Sequence, residues 1–326
     1  MSLDPTQLTA LVSDVGIGVF ADTYKAEALK FPSFCEVITP EACSVPFYGD
    51  KSTTLHFGGD AVEREDGQAI QEQSAGLGYT PQGKVRQFAA KISIPARMLA
   101  AVNAKQQVES MVSTWSRQFA LRKMTSTERM VFSLIQRGGI TAGDPSVFVN
   151  SFVGHETTNG LIYDGVSFFN SAHPVKFGTT TYDNADALTL TGPNLTTELV
   201  KAQSTNAVDE KGQPIDITSD ILVVGLGDEA TAMSLIGSTL APGTNNNDIN
   251  TNLNRLRIVS SRYITTSGAW AIGRTGTIRV IDSGPVPVLE SSYNANTKCY
   301  DYSLEYHFGA YVRDWRGWIG NNFATS

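Results

Sequence analysis

The chain has 326 residues, 41% of them apolar and 17% charged, with a net charge of −7 and no basic block. That apolar content is enough for a real core over one large or two modest domains, and the acidic balance excludes a surface made for gripping nucleic-acid phosphates. Three cysteines, Cys35, Cys43 and Cys299, occur without C-x-x-C spacing and supply neither a disulfide framework nor a zinc site.

In chain order, Asp4-Pro5 opens a predicted short helix through Val12, and a second is predicted from Ala21 to Lys30, the two split by Gly16 and Gly18. Met-Ser-Leu-Asp-Pro lacks the basic start and apolar run of a signal peptide, so an unexported product is expected. No stretch approaches the roughly 18 continuous apolar residues of a membrane span. From Phe31-Pro32 to Pro46 the prolines exclude helix. Thr53 to Phe57 and Val85 to Ile94 then read as strands facing each other across a long polar gap, Gly58 to Gly83, that includes Glu63-Arg64-Glu65-Asp66-Gly67. A gap of that length is either a floppy surface loop or an extended hairpin arm. An isolated hairpin is marginal in water, so the arm reading requires a partner surface on another copy of the chain. Arg64, Glu65 and Asp66 at the tip and Tyr79 on the return are its candidate contacts.

Ala96 to Arg137, between Pro95 and Gly138-Gly139, holds no Gly and no Pro. Val108, Met111, Val112, Trp115 and Phe119 recur at three- and four-residue steps, and Met130, Val131, Leu134 and Ile135 resume the stripe, as one face of a helix requires. A continuous helix here reaches on the order of 60 Å, a spine with other elements hung from it. Thr125-x-x-Glu128 has the form of a capping box and offers the alternative of a break near Met124.

Beyond Gly139, Val147 to Phe152, Leu161 to Tyr163 and Val166 to Phe169 read as short strands. His155-Glu156, Asp164 and His173 raise a metal site, but none stands in a ligand spacing such as H-E-x-x-H. Thr196 or Thr197 is the expected cap of a helix running to about Val208. Ile221 to Val224 reads as a buried strand and Glu229 to Ile236 as a helix, and their join, Gly225-Leu226-Gly227-Asp228-Glu229-Ala230, has the form G-x-G-x-x-A of a dinucleotide site. Asp228 and Glu229 would stand where a pyrophosphate needs positive potential, and Ser261-Arg262 stands where an acid should take the ribose hydroxyls, so no nucleotide cofactor is expected. Thr239 to Asn252 is an Asn/Gly/Pro loop expected at an exposed tip, with Asn245, Asn246 and Asn247 as further candidate contacts between copies. Leu256 to Ser260, Ala269 to Ile272 and Thr277 to Ile281 read as strands, and Tyr300 to Val312 alternates Tyr302, Leu304, Tyr306 and Phe308 against Ser303, Glu305 and His307 in a strand expected beside the spine. No G-x-S-x-G elbow, Walker loop or paired cysteines appear, so catalytic, cofactor and metal residues are all expected to be none.

Tyr163-Asp164-Gly165-Val166-Ser167-Phe168-Phe169-Asn170-Ser171-Ala172-His173-Pro174 resembles the D-G-x-x-F-F-x-x-x-H-P stretch of tailed-bacteriophage major capsid proteins, notably the Mu-like major head subunits. Asn194-Leu195, Asp209-x-x-Gly212-x-Pro214-Ile215, Ile221 to Val224 and Trp270-Ala271-Ile272 follow in the order that family shows, although it usually has a double Pro at Gly225-Leu226-Gly227. The resemblance implies an α+β chain of the Hong Kong 97-like (Johnson) fold. Its parts would be an N-terminal arm (1–44), an extended loop (45–95), a peripheral domain with the spine helix (96–188 and 274–326) and an axial domain (189–273). It also implies hexamers and pentamers of one chain tiling an icosahedral virion shell, built in the bacterial cytoplasm around double-stranded DNA held without sequence-specific binding. Separate scaffold, protease, portal and cement proteins are the implied partners. An encapsulin compartment is the rival within the same fold, and a nucleotide-dependent enzyme the rival outside it.

Overall fold

The computed structural model of the chain describes residues 4–26, 29–53, 55–56, 76–100, 103–138, 161–240 and 248–323. In chain order these form α1 (Pro5–Ala26), β1 (Glu36–Ile38), β2 (Gly49–Lys51), β3 (Leu55–His56), β4 (Gly76–Leu77), β5 (Gln82–Lys84), β6 (Arg86–Pro95), α2 (Ala104–Gln136), β7 (His173–Pro174), β8 (Thr181–Tyr182), β9 (Ala185–Asp186), α3 (Gly192–Val200), β10 (Ile221–Gly225), α4 (Glu229–Gly237), β11 (Arg257–Ser261), β12 (Trp270–Gly273), β13 (Ile278–Asp282), β14 (Val288–Asn294), β15 (Cys299–Val312) and β16 (Ile319–Asn321).

The spine is α2, 33 residues long and so roughly 50 Å at the α-helical rise. It runs unbroken through Met124, against the capping-box alternative. Thr127 is buried and its hydroxyl donates to the Met124 carbonyl at 3.0 Å, while the Glu128 carboxylate accepts the backbone N–H of Lys30 instead of capping its own helix. Two short N-terminal helices were expected, and a single one, α1, forms through both Gly16 and Gly18. A Cβ at Gly16 would sit 3.3 Å from Ser116 Oγ and 3.4 Å from Val112 Cγ1, so the missing side chain lets α1 lie close on α2. Burying Leu8, Val12 and Phe20, at about 1.5–3 kcal/mol each, outweighs the cost of about 1 kcal/mol per glycine.

The first sheet is organised around β15. Residues 299–305 of that strand pair with β14, residues 299–308 with β6, and residues 308–312 with β13, all antiparallel, and β13 takes β1 in parallel. Alternation decides which face is core: Tyr302, Leu304, Tyr306 and Phe308 are buried, with Phe119 of the spine against Tyr306 at 5.6 Å between ring centroids. The strand expected to pair with Thr53 to Phe57 was the one ending at Ile94. Instead, β6 leaves the hairpin for β15, and the outgoing limb pairs β2 with β5 and β3 with β4.

Where helix, arm and sheet meet, Lys123 of α2 is fully buried. Its ammonium pairs with Asp282 at 2.9 Å and donates to the Gly284 carbonyl, and Tyr24 of α1 donates to the other Asp282 oxygen at 2.5 Å. Burial pushes the Lys123 amine below its ordinary range, and the Asp282 charge offsets part of that.

The second sheet has the order β11-β10-β12-β16-β9. Adjacent parallel strands β10 and β11 enclose α4 in one βαβ unit, and α3 and α4 bury Leu195, Leu199, Ala232, Leu235 and Ile236 against Leu222, Val224, Trp270 and Ile272. The cap of α3 is Thr191, which accepts the Asn194 N–H, rather than Thr196 or Thr197; those hydroxyls donate back to the Gly192 and Pro193 carbonyls inside the helix. The helix ends at Val200 and passes into a π turn over Lys201–Thr205, short of the expected Val208. Asn250 and Asn252 of the expected exposed loop are buried, bonded to carbonyls of Leu235, Ser238 and Gly192.

Residues 161–169 are a turn in place of the two expected strands. A single bridge joins Leu161 to Ser167, Gly165 takes φ +86°, and Phe168 and Phe169 turn inward onto Trp318 and Phe323. The expected strand at 147–152 and the pair His155-Glu156 lie outside the described residues.

Candidate assembly surfaces

The base of the hairpin is fixed to the first sheet by a polar network. Asp50 on β2 is 4% exposed. It accepts Tyr311 Oη at 2.7 Å, Arg279 Nη1 at 2.9 Å and the Ser44 N–H at 3.1 Å. Arg279 forks onto Glu36 at 2.8 and 3.0 Å, and Arg313 reaches the same carboxylate at 2.9 Å. Burial by itself would raise the Asp50 carboxyl; the bonds from Tyr311, Arg279 and Ser44 outweigh it and hold the group below the usual carboxylate range. Its contribution to stability is therefore present at neutral pH and lost as pH falls through that lowered value. Gly83, opposite Asp50 in the β2–β5 rung, lies flat on Tyr311: a Cβ there would be 2.1 Å from the ring. Gly83→Val is expected to cost about 1–3 kcal/mol by overpacking, read as a lowered midpoint of denaturant unfolding.

The returning limb is docked on its own chain. Lys176 donates to the carbonyls of Leu77 (2.9 Å) and Gly78 (2.5 Å). Tyr79 donates to the Pro174 carbonyl at 3.2 Å and packs its ring on Tyr163 at 5.3 Å. Of the residues read as contacts between copies, Tyr79 is thus half-buried within the subunit, while Arg64, Glu65, Asp66, Asn245, Asn246 and Asn247 lie outside the described residues. The hairpin-base residues Asp50, Arg279 and Glu36 carried no sequence signal, being brought together from three distant segments.

Apolar surface is exposed at several places. Leu77 is 65% exposed on the hairpin, and Leu226, Met233 and Ile249 are 52%, 56% and 81% exposed on and beside α4. Along α2 an open groove of about 630 Å³ is lined by Ile92, Met111 and Trp115 among three glutamines, Ser110 and Thr114. Scattered over separate elements, such residues are ordinary for a protein surface and do not by themselves mark an interface.

The other motifs resolve into structure. Gly225-Leu226-Gly227 does join a strand to a helix in a βαβ unit, but a Cβ at Gly225 would meet the Ile264 carbonyl at 2.9 Å, a packing reason for glycine. The Glu229 carboxylate accepts Ser260 Oγ at 2.8 Å beside the first turn of α4, where a pyrophosphate would be repelled. Asp164 and His173, raised as metal ligands, hold each other: Nδ1 lies 2.6 Å from the Asp164 carboxylate, Nε2 lies 3.0 Å from Asn184 Oδ1, and the ring stacks on Trp315 at 4.2 Å. Neither ring nitrogen is left for a metal, and among the described residues no group of three or more His, Cys, Asp or Glu is placed to hold one. Among the same residues no helix is long and apolar enough to cross a membrane. The D-G-x-x-F-F-x-x-x-H-P stretch is therefore a buried staple that closes the turn after the spine.

A family model described as phage capsid protein matches residues 100–321. No curated protein is similar. Among solved structures, the capsid of Ralstonia phage GP4 superposes with a TM-score of 0.50 at 13% identity, over 91% of this chain and 92% of that one. The capsid of a native GTA particle gives 0.50 at 12% identity, over 91% and 90%. A virus-like particle from Pyrococcus furiosus gives 0.45 at 9%, over 94% and 98%. The family model covers more than half of the chain, which therefore belongs to the phage capsid protein family and has the Hong Kong 97-like fold of the capsid structures it matches.

Proposed function

We propose that this capsid shell subunit self-assembles as hexamers and pentamers into an icosahedral shell around double-stranded DNA, and that it has no catalytic role. The observation that carries the reading is the described base of the hairpin: a limb fixed by the buried Asp50–Arg279–Tyr311 network, whose narrow two-stranded rungs β2–β5 and β3–β4 are of a kind that is marginal without a partner surface. Residues 1–44 serve as the arm, 45–95 as the extended loop, 96–188 with 274–326 as the peripheral domain, and 189–273 as the axial domain. Strands β9 and β16 join the sheet of the axial segment, which ties the two lobes together across the chain. Stabilisation is spread over many modest interfaces, and charge at the hairpin sets register more than affinity. A net charge of −7 suits a container that holds DNA without adhering to it. Assembly belongs in the host cytoplasm, with scaffold, protease, portal and cement proteins as separate chains.

Cryo-electron microscopy of particles formed by the expressed chain tests this. Closed shells with the chain at five-fold and six-fold positions are expected; open sheets or discrete small oligomers would contradict it, and an enzyme cargo in place of nucleic acid would assign the shell to an encapsulin. Nicotinamide and flavin nucleotides are expected to give no heat in titration calorimetry, and saturable micromolar binding would return the chain to the enzymes.

A further inference from the structure

The first sheet ends on one side at β14, a seven-residue strand paired with β15 from Val288↔Glu305 to Asn294↔Cys299 without a bulge. Among the described residues its outer edge pairs with no strand, so a row of backbone N–H and C=O groups faces outward there. Edges that stay unpaired are usually guarded by shortness, lysine, proline or a bulge. β14 has none of these: its one charge is Glu290, and no proline lies within it. The strand on the other side of β15, β6, does carry Arg86 and Lys91. On β14, Val288 and Tyr293 are 51% and 49% exposed, and the Tyr293 ring is held against Tyr300 at 4.9 Å between centroids.

We infer that β14 is the edge through which two copies of this chain join, each β14 lying antiparallel to the other about a two-fold axis at Ser291. This pairing rests on the shell reading in one respect: tiles of one wall share a side. Residues directly opposite each other in an antiparallel pair point to the same face. A two-fold centred on a residue therefore keeps both spine helices on one side of the joined sheet, and a two-fold centred between residues does not. Centring on Glu290 would set two carboxylates face to face, which destabilises the pair, and centring on Ser292 would lose two of the seven rungs. Ser291 keeps all seven and places Leu289 opposite Tyr293, an apolar–aromatic cross-strand pair. It also sets each Glu290 against Ser292, with the two carboxylate residues on a diagonal about 7–8 Å apart.

Disulfide cross-linking of the full chain reads the register directly. Glu290, Ser291 and Ser292 are all exposed, so a cysteine at any of them leaves the fold intact, and a Cys299→Ser background leaves only the buried Cys35 and Cys43. Opposing rung residues lie about 4.5 or 5.5 Å apart at Cα, within the disulfide span of about 4.4–6.8 Å. Under mild oxidation Ser291→Cys should give a linked dimer on a non-reducing gel, several-fold more than Glu290→Cys or Ser292→Cys alone, while those last two variants should link to each other when mixed before association. No dimer from S291C, or equal yields at all three positions, would overturn the pairing. Electron microscopy of the same samples separates it from the shell reading: closed shells without the link would sink the edge and leave the shell, whereas linked dimers that never close into particles would sink the shell and leave the edge.

Discussion

Excising residues 57–75 and joining His56 to Gly76 through a two-residue Asn-Gly turn is expected to abolish closed shells while leaving the subunit folded. His56 and Gly76 already face each other across the β3–β4 rung, so the shortened ribbon needs only a tight type I′ turn. Among the described residues, the anchors of the limb lie below the cut: the β2–β5 rung, the bonds of Asp50 to Tyr311 and Arg279, and the Lys176 and Tyr79 contacts of the return. The expected record is a thermal midpoint within a few degrees of wild type together with loss of particles in electron micrographs. Normal particles from the excised chain would show that the segment bears no intersubunit contact.

Asp282→Ala is expected to be the most damaging single substitution in the subunit, costing about 3–5 kcal/mol, because it strands the buried Lys123 ammonium without its counter-charge. The carboxylate also takes the Tyr24 hydroxyl and the Gly284 N–H, so three segments lose a common acceptor: the arm helix, the spine and the turn after β13. The control is the combination with Lys123→Met and Tyr24→Phe, which removes the two stranded side-chain groups and leaves only the Gly284 N–H without its acceptor; it is expected to recover most of the loss, since apolar replacement of a whole buried pair is often close to neutral. Equilibrium urea unfolding of the single and triple variants measures both. A single-variant loss under about 1 kcal/mol would mean that Lys123 finds water or another acceptor.

Periodicity made the long elements legible. The spine, β6 and β15 carry apolar stripes that their buried faces broadly follow, although Ser116, Lys123 and Thr127 of the spine are buried polar residues that no apolar period announces. Pairing was another matter: β6 meets β15 across some two hundred residues, and alternation says which face of a strand is buried without saying against what. Gly16 of α1 read as a break because its packing reason, Ser116 and Val112 on another helix, is absent from the local sequence. β14 escaped notice because Glu290, Ser291 and Ser292 are exposed, so no apolar period announces it. Asp164 and His173 stood out as chemistry-bearing residues; only the fold shows that they satisfy each other. The assembly surface was legible least of all, since contacts between copies depend on shape that no single segment encodes.

The most direct measurement is sedimentation of the purified full-length chain from micromolar concentration upward under conditions of low salt and near-neutral pH. The account predicts concentration-dependent conversion of subunits into capsomers and then into large closed particles. A single monomeric species that persists across the whole range, with the acidic hairpin segment protected from protease within that monomer, would contradict it.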